Sequence, residues 1–349
     1  MKKNILLLLV GMMFFASCEV EFSPNDDWKR IPVVYCLLDQ DDDTTFVRLQ
    51  RCYLGEGNQY HYATIADSIY YPQDAVTVLM EEWNTWVDND GQRHRYGDNP
   101  RKIYTFDYTT ITDKDSGMFY NTVHPVYVCP TGGQLDTTCL YCLKVLDNAS
   151  GDTIAKGETL LIRGTMTLQQ PNNVTLFQFS GASGNKSCDI KWSTLRDARQ
   201  YQPVVRFYYR DFIVDRTHVP YDTTITPHYI DIPCNVVKSD MTERYCSTKL
   251  EQNTFLSRIK QALEGDTCNK NIIDTVDIYI HCATEPLAAY LYATHPVGSI
   301  NQEPYAYSNI EGGVGVFAAR RRHLFFKIGT PLSTVSDYVR QIIELGVGF

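Results

Sequence analysis

The cysteines and histidines come closest to a metal-binding pattern in this chain. Cys139 and Cys142 are three positions apart, and His124 and Cys129 lie a short distance upstream. Thiolate and imidazole groups can bind zinc, but structural zinc sites generally contain two closely spaced ligand pairs. Only one such pair is present here, so we predict no metal site. Disulfide bonds and buried free thiols both remain open for the cysteines other than Cys18.

Patterns for cofactor binding and catalysis are incomplete. Residues 313–318 match the dinucleotide fingerprint G-x-G-x-x-A. That fingerprint needs a buried strand before it and a helix after it, whereas the flanks here are polar upstream and strand-like downstream. No G-x-S-x-G elbow is present, and the spacing of His218, His228 and His281 fits no zincin motif. We predict no cofactor and no enzyme, with a carboxylate-dependent hydrolase as a lesser alternative.

Tyrosine clusters are the best candidates for contact with a ligand or partner. Tyr60 and Tyr62 flank one histidine, and Tyr70 and Tyr71 are adjacent. Aromatic rings with a polar end suit sugar and peptide binding, although they also suit strand faces. We therefore place the contact in residues 59–71, which we predict to form a loop.

A short motif recurs along the chain: aspartate, then serine or threonine, then a small apolar residue or threonine. It resembles the acceptor sequence for O-glycosylation of exported Bacteroidota proteins. The same dipeptide also favours turns, because its side-chain oxygens bond to the local backbone. The predicted acceptors are Thr44, Ser68, Thr137, Thr153, Thr223 and Thr275.

The N-terminal residues are typical of a lipoprotein export signal. Two lysines precede an apolar stretch over residues 5–15, which is too short for a transmembrane helix of about 20 residues. Residues 15–18, Phe-Ala-Ser-Cys, resemble a lipobox, although phenylalanine stands where leucine is usual. We predict that a signal peptide of residues 1–17 is removed and that acyl chains such as palmitate on Cys18 anchor the protein to a membrane.

The charge of the chain argues against nucleic acid as a partner. The formal net charge is −9, and loss of the two signal lysines makes the mature chain more acidic. Phosphate binding needs patches of lysine and arginine. The one basic cluster, residues 320–323, lies between apolar strand-like segments, and we interpret it as a solvated strand end.

Period-two hydrophobicity predicts β-strands in both halves of the chain. Strand-like residues 31–38 and alternating residues 46–54 flank an acidic turn, which predicts a hairpin. Further strands are predicted at residues 76–80, 102–108, 140–146, 158–162, 174–179, 190–192, 204–214, 278–282 and 324–328. Several short strands at such spacing favour a sandwich over a parallel α/β sheet.

The predicted fold class is mainly β, with immunoglobulin- or fibronectin-III-like β-sandwich domains and a few added helices, including one at the C-terminus. Trp192, followed by Ala198 and Tyr201, resembles the core of such a sandwich. Helical periodicity and end signals mark the two helices. The predicted division is a signal peptide (1–17), an acidic tether (18–30), an N-terminal β-sandwich domain (31–165) and a second β-rich domain (166–349) with helices near 253–264 and 334–345.

Two segments carry a family resemblance. Residues 32–39, with 46–49 and 54–55, and residues 307–318 near the end resemble uncharacterised Bacteroidota outer-membrane lipoproteins. The group is similar to the family called domain of unknown function 4249. The resemblance implies a β-sandwich lipoprotein of the outer membrane, often associated with TonB-dependent transporters, and it implies no catalytic residue.

The sequence therefore predicts a lipid-anchored cell-envelope protein that binds a ligand or partner as an accessory to a TonB-dependent transporter. We place it on the outer membrane at the cell surface, with the periplasmic face as the alternative. The alternative function is a structural or adhesive surface subunit, fimbrial or matrix-binding, and a surface hydrolase ranks third.

The anchor can be tested by replacing Cys18. The Cys18→Ala protein should lack lipid and should be released from membranes by mild washing, because the thioether attachment point is gone. Mass spectrometry of the wild-type N-terminus checks the site directly. An unmodified N-terminus at another residue would contradict the prediction.

Overall fold

The structure is a computed structural model that describes residues 31–52, 59–112, 123–172, 174–182, 186–215, 217, 219, 222–240, 242–265, 269–294 and 307–331. The predicted signal peptide, Cys18, the tether and the helix near 334–345 lie outside the described residues. No helix within the described ranges has the length and apolar character needed to cross a bilayer.

Strands dominate the described part of the chain. They are β1 Pro32–Leu38, β2 Thr44–Arg51, β3 Val76–Val87, β4 Arg93–Tyr96, β5 Lys102–Thr105, β6 Asp107–Ile111, β7 His124–Pro130, β8 Leu140–Asp147, β9 Thr153–Leu160, β10 Leu168–Gln170, β11 Ser187–Ser193, β12 Gln200–Asp215, β13 Asp222–Pro233, β14 Val237–Lys238, β15 Tyr245–Glu251, β16 Asn269–Ala283, β17 Ile310–Glu311 and β18 Val314–Gly329. The helices are α1 Gln59–Ala63, α2 Ala66–Ile69, α3 Gln252–Ala262 and α4 Glu285–Thr294.

One sheet contains strands from both predicted domains, 31–165 and 166–349. Among the described residues it has nine strands, in the order β13-β12-β16-β18-β1-β2-β7-β6 with β14 paired to β12, and we call it the long sheet. The predicted hairpin of residues 31–38 and 46–54 is confirmed as β1 and β2. On its other side β1 pairs in parallel with β18. A strand from late in the chain therefore lies beside the N-terminal hairpin.

Two smaller sheets pack on one face of the long sheet and enclose two hydrophobic cores. The first short sheet is β17-β9-β8-β3-β4 with β5 on β3, and the second short sheet is β10-β11-β15. Val34 and Tyr141 lie in the first core, and Trp192 and Phe207 lie in the second. The predicted mainly β fold, with sandwich packing and few helices, is confirmed.

The tryptophan and tyrosine of the predicted sandwich core pack together. The ring centroids of Trp192 and Tyr201 are 5.7 Å apart, and both side chains are fully buried, as is Ala198. The Tyr201 hydroxyl accepts a hydrogen bond of 2.8 Å from the backbone N–H of Leu195. A tyrosine that bonds back to the preceding backbone in this way fixes the corner where a strand begins.

Helix α3 coincides with the helix predicted near 253–264, whereas α4 was not predicted. Pro286 in the first turn of α4, followed by leucine and alanines, is a helix-start signal that could have revealed it. Leu287 of α4 packs on the outer face of the long sheet. The ring centroids of Tyr290 and Tyr35 are 6.0 Å apart.

Residues 174–179, predicted as a strand, form turns and irregular backbone instead. The Oδ1 atom of Asn172 accepts hydrogen bonds of 2.9 Å from the backbone N–H groups of Val174 and Thr175. An asparagine side chain that bonds to the backbone ahead of it favours a turn over a strand ladder. The strand prediction is therefore wrong here.

The pairing of β1 with β18 depends on a glycine. Gly315 lies opposite Val34 in the parallel register and has a φ of 123°. A Cβ atom at Gly315 would overlap the carbonyl oxygen of Val34. The fingerprint-like segment 313–318 thus runs from a turn into a strand, and its glycine at 315 permits close approach of two backbones.

Gly315→Ala should lower the free energy of unfolding by about 3 kcal/mol or more, because it adds both backbone strain and a clash. Gly91→Ala is the matched control, since Gly91 also has a positive φ, of 80°, but nothing lies within 4 Å of its Cβ position. That control should lose only about 1–2 kcal/mol. Urea unfolding measures the free energy of unfolding of both variants. Equal losses in the two would contradict a special role for the β1–β18 contact.

Candidate functional site

The predicted contact segment 59–71 is not a loop. It forms α1 and α2, which the local alanines favour. Tyr60 is 65% exposed and Tyr62 is half-buried, so these two side chains reach solvent. Tyr70 and Tyr71 are buried, at 5% and 7% exposure. The structure therefore separates the four predicted contact residues into an outer and an inner pair.

The inner pair lies beside a small cavity. Tyr70 and Tyr71 help to line a volume of about 270 Å³ together with Arg51. The Tyr70 hydroxyl is 2.7 Å from Nδ1 of His124, and the guanidinium of Arg51 is 6.0 Å from the centroid of the Tyr71 ring. These contacts fix the inner tyrosines in place, so a partner would first meet the outer pair.

The cysteines and histidine weighed as zinc ligands are not brought together. His124 contacts Tyr70, and Cys142 packs with Trp83 in a cluster separate from the core that holds Cys129 and Cys139. Among the described residues, the one group with ligand atoms close enough to hold a metal ion is Glu82, Asp136 and Cys139, all within 4.8 Å.

An arginine already occupies that group. The guanidinium of Arg101 lies 2.6 Å from Oδ2 of Asp136 and 3.5 Å from both Oε1 of Glu82 and Sγ of Cys139. Tyr104 donates a hydrogen bond of 2.9 Å to the other oxygen of Glu82. Hydrogen bonds from Thr138, followed by those from Arg101, lower the pKa of Asp136. The arrangement is an ion-pair network of one guanidinium and two carboxylates that joins β3 to the turn before β8.

The described cysteines are all free, and most are buried. Burial raises the pKa of Cys188 and of Cys234 to about 12 in each case. A thiol that stays protonated is a poor nucleophile, so these residues act as small apolar side chains of the core. Of the two alternatives left open by the sequence, the structure contains free thiols.

The predicted glycosylation acceptors differ in exposure. Thr153 and Thr223 are exposed on strands β9 and β13. The remaining four are half-buried: Thr44, Ser68, Thr137 and Thr275. A glycan needs an accessible hydroxyl, so the two exposed threonines are the first positions to examine for modification.

A charged cleft lies on the outer face of the long sheet, where β12, β16 and β18 are neighbours. It has a volume of about 340 Å³. We call it the arginine cleft. The residues that line it include Asp39, Asp41, Asp42, Gln200, Gln202, His281, Ala283, Leu287, Leu291, Arg320, Arg321 and Arg322. The basic cluster 320–323, interpreted from the sequence as a strand end, thus lies within β18 and lines a cleft.

The cleft exists because β1 is shorter than β18. β1 ends at Leu38, opposite Ala319, so β18 continues without its parallel neighbour. The acidic turn after β1 fills that space. Arg320 lies 3.7 Å from Asp39 and 3.6 Å from Asp42, while the guanidinium of Arg321 lies 3.1 Å from Asp41. These ion pairs tie the turn to β18.

Strand register sets out the polar side chains in two rows. His281 lies between Gln202 and Arg322, because it pairs with each across the sheet. In the next row Ala283 lies between Gln200 and Arg320. Neighbouring strands are about 4.8 Å apart, so the side chains of Gln202, His281 and Arg322 can reach a common ligand. Ala283 is buried in a cluster with Leu287 of α4.

The charges of the cleft are not all balanced locally. Arg322 is exposed and forms no ion pair with any described residue, and its nearest aromatic partner is the ring of Tyr279, with the centroid 5.6 Å away. Partial desolvation, followed by the positive charges of Arg322 and Arg320, lowers the pKa of His281. The lowered pKa favours the neutral imidazole, which can both donate and accept a hydrogen bond.

No family model and no curated protein matches this chain. The resemblance to outer-membrane lipoproteins stays a prediction, and the function has to be argued from the residues of the site itself.

The electrostatics of the cleft can be measured through His281. Arg322→Gln should raise the pKa of His281 toward the ordinary value of about 6.5, because a neighbouring positive charge that disfavours the imidazolium is removed. Histidine proton shifts followed by NMR across pH 4–9 give the pKa. Arg244→Gln removes an exposed arginine from the turn before β15 and should leave the pKa unchanged. A His281 pKa that is the same in all three proteins would show that Arg322 does not face it.

Proposed function

We propose that this chain is a lipid-anchored outer-membrane protein that binds a ligand or partner and serves as an accessory to a TonB-dependent transporter. The observation that carries the proposal is the arginine cleft, in which polar and charged side chains stand on three adjacent strands of one sheet. A rigid sheet holds such groups in a fixed arrangement, as a binding scaffold requires. We place the lipid on Cys18 and the protein at the cell surface.

The proposed anchor leaves the body of the protein free to meet a partner. The first described residue, Ile31, follows Cys18 by a short segment. At no more than about 3.5 Å per residue, that segment spans at most about 45 Å. The body would therefore stay within one protein diameter of the membrane, near the extracellular or periplasmic loops of a transporter.

A structural or adhesive surface subunit is the second candidate, and one observation favours it. β13 forms an edge of the long sheet and exposes Ile225 and Tyr229 at 50% and 55%. An open edge strand with apolar side chains is a template for pairing with a strand of another chain. This alternative predicts self-association through β13.

A pull-down of the tagged lipoprotein from solubilised outer membranes tests the accessory role. We expect a β-barrel transporter to be recovered, and we expect less of it with Tyr60→Ala and with Tyr62→Ala, because these side chains are the accessible half of the predicted contact. Tyr96→Ala is the matched control, since Tyr96 is 64% exposed against 65% for Tyr60.

Recovery of no barrel, in detergents that preserve other transporter complexes, would contradict the accessory role. Recovery of further copies of the same chain would favour the structural alternative, and a Tyr229→Glu variant should then abolish that self-association.

A further inference from the structure

We propose that the arginine cleft binds a carboxylate carried on a small apolar group, such as the end of a peptide or an acylated amino acid. This inference deepens the proposed function and rests on it, because it assigns a ligand class to the same site. Three properties of the cleft favour such a ligand: one cation without an ion pair among the described residues, neutral hydrogen-bond donors beside it, and an apolar wall.

The unbalanced cation is Arg322. The other two arginines already face aspartates of the turn after β1, whereas Arg322 faces His281 in register and reaches solvent. A guanidinium presents two parallel N–H donors that match the two oxygens of a carboxylate. An anion bound in the cleft beside His281 would meet this charge without displacing an existing ion pair.

Neutral donors complete the polar side of the cleft. Gln200 and Gln202 lie on β12, across β16 from Arg320 and Arg322. Their amide groups, with the imidazole of His281, can bond to an oxyanion without adding net charge. Asp39, Asp41 and Asp42 on the opposite side of the cleft would repel a doubly charged phosphate more than a singly charged carboxylate.

The apolar wall comes from α4. Leu287 and Leu291 are four positions apart, so they lie on one face of the helix and both line the cleft. Leu291 is 43% exposed, and burial under an aliphatic group would remove that apolar surface from water. The volume of about 340 Å³ is at the small end of ligand pockets, which fits a group of amino-acid size.

The probe is N-acetylleucine, and the matched control ligand is N-acetylleucinamide, which has nearly the same shape and no charge. Calorimetry and the NMR shift of His281 are followed with the detergent-solubilised lipoprotein alone. We expect the carboxylate to bind and the amide to bind at least about tenfold more weakly. Arg322→Gln should weaken carboxylate binding by a similar factor, with partial recovery in Arg322→Lys.

Arg244→Gln is the protein control, because it removes the same charge from an exposed site outside the cleft, and it should bind as wild type does. Equal affinity for the carboxylate and the amide would overturn the proposal, and so would unchanged binding in Arg322→Gln. Inorganic phosphate that binds more tightly than N-acetylleucine, and loses binding in Arg322→Gln, would also overturn the carboxylate assignment. No transporter is present in this experiment, so its failure and the failure of the pull-down are separate results.

Discussion

The parallel contact between β1 and β18 is the constraint on which the rest of the structure depends. Six consecutive residue pairs, from Val33 with Val314 to Leu38 with Ala319, join the first described strand to the last. This ladder connects the antiparallel strands of the two sequence halves into one sheet. Without it, β1 and β18 would each have an open edge in the middle of the molecule. The two hydrophobic cores would then no longer pack against one continuous sheet.

The candidate site is a direct result of the unequal lengths of those two strands. Where β1 stops, β18 continues with three arginines, and the acidic turn after β1 lies beside them. The acidic turn neutralises two of them, and α4 covers the adjacent sheet face with Leu287 and Tyr290. Arg322 is left without an ion pair to any described residue. The same geometry that joins the sheet thus creates a charged recess on its outer face.

The local parts of the fold could be predicted from the sequence, because their signals are local. The apolar run 31–38 and the alternating residues 46–54 predict the hairpin of β1 and β2, and the Trp192 and Tyr201 pattern predicts a sandwich core. The arginine cleft could not be predicted in this way. Arg321 and Asp41 are 280 positions apart, and neither segment contains a sign that the other is its neighbour.

The predicted contact segment 59–71 shows a different limit of prediction from sequence. Tyr60, Tyr62, Tyr70 and Tyr71 have similar neighbours in the sequence, yet two are accessible and two are buried. The hydroxyl of buried Tyr70 contacts His124 of β7, a residue 54 positions away that no local pattern links to it. Residue type alone therefore did not distinguish the tyrosines that reach solvent from those that are buried.

The position of β18 has a consequence for how the protein reaches its native state. Synthesis runs from the N-terminus, so β1 and β2 are made long before their partner β18. Until β18 is available, the backbone N–H and C=O groups along the free edge of β1 have no strand to pair with. Long-range pairings of this kind form slowly. The long sheet can therefore close only once Val314 and the rest of β18 are available, and before that point the free edge of the hairpin can pair wrongly with other strands.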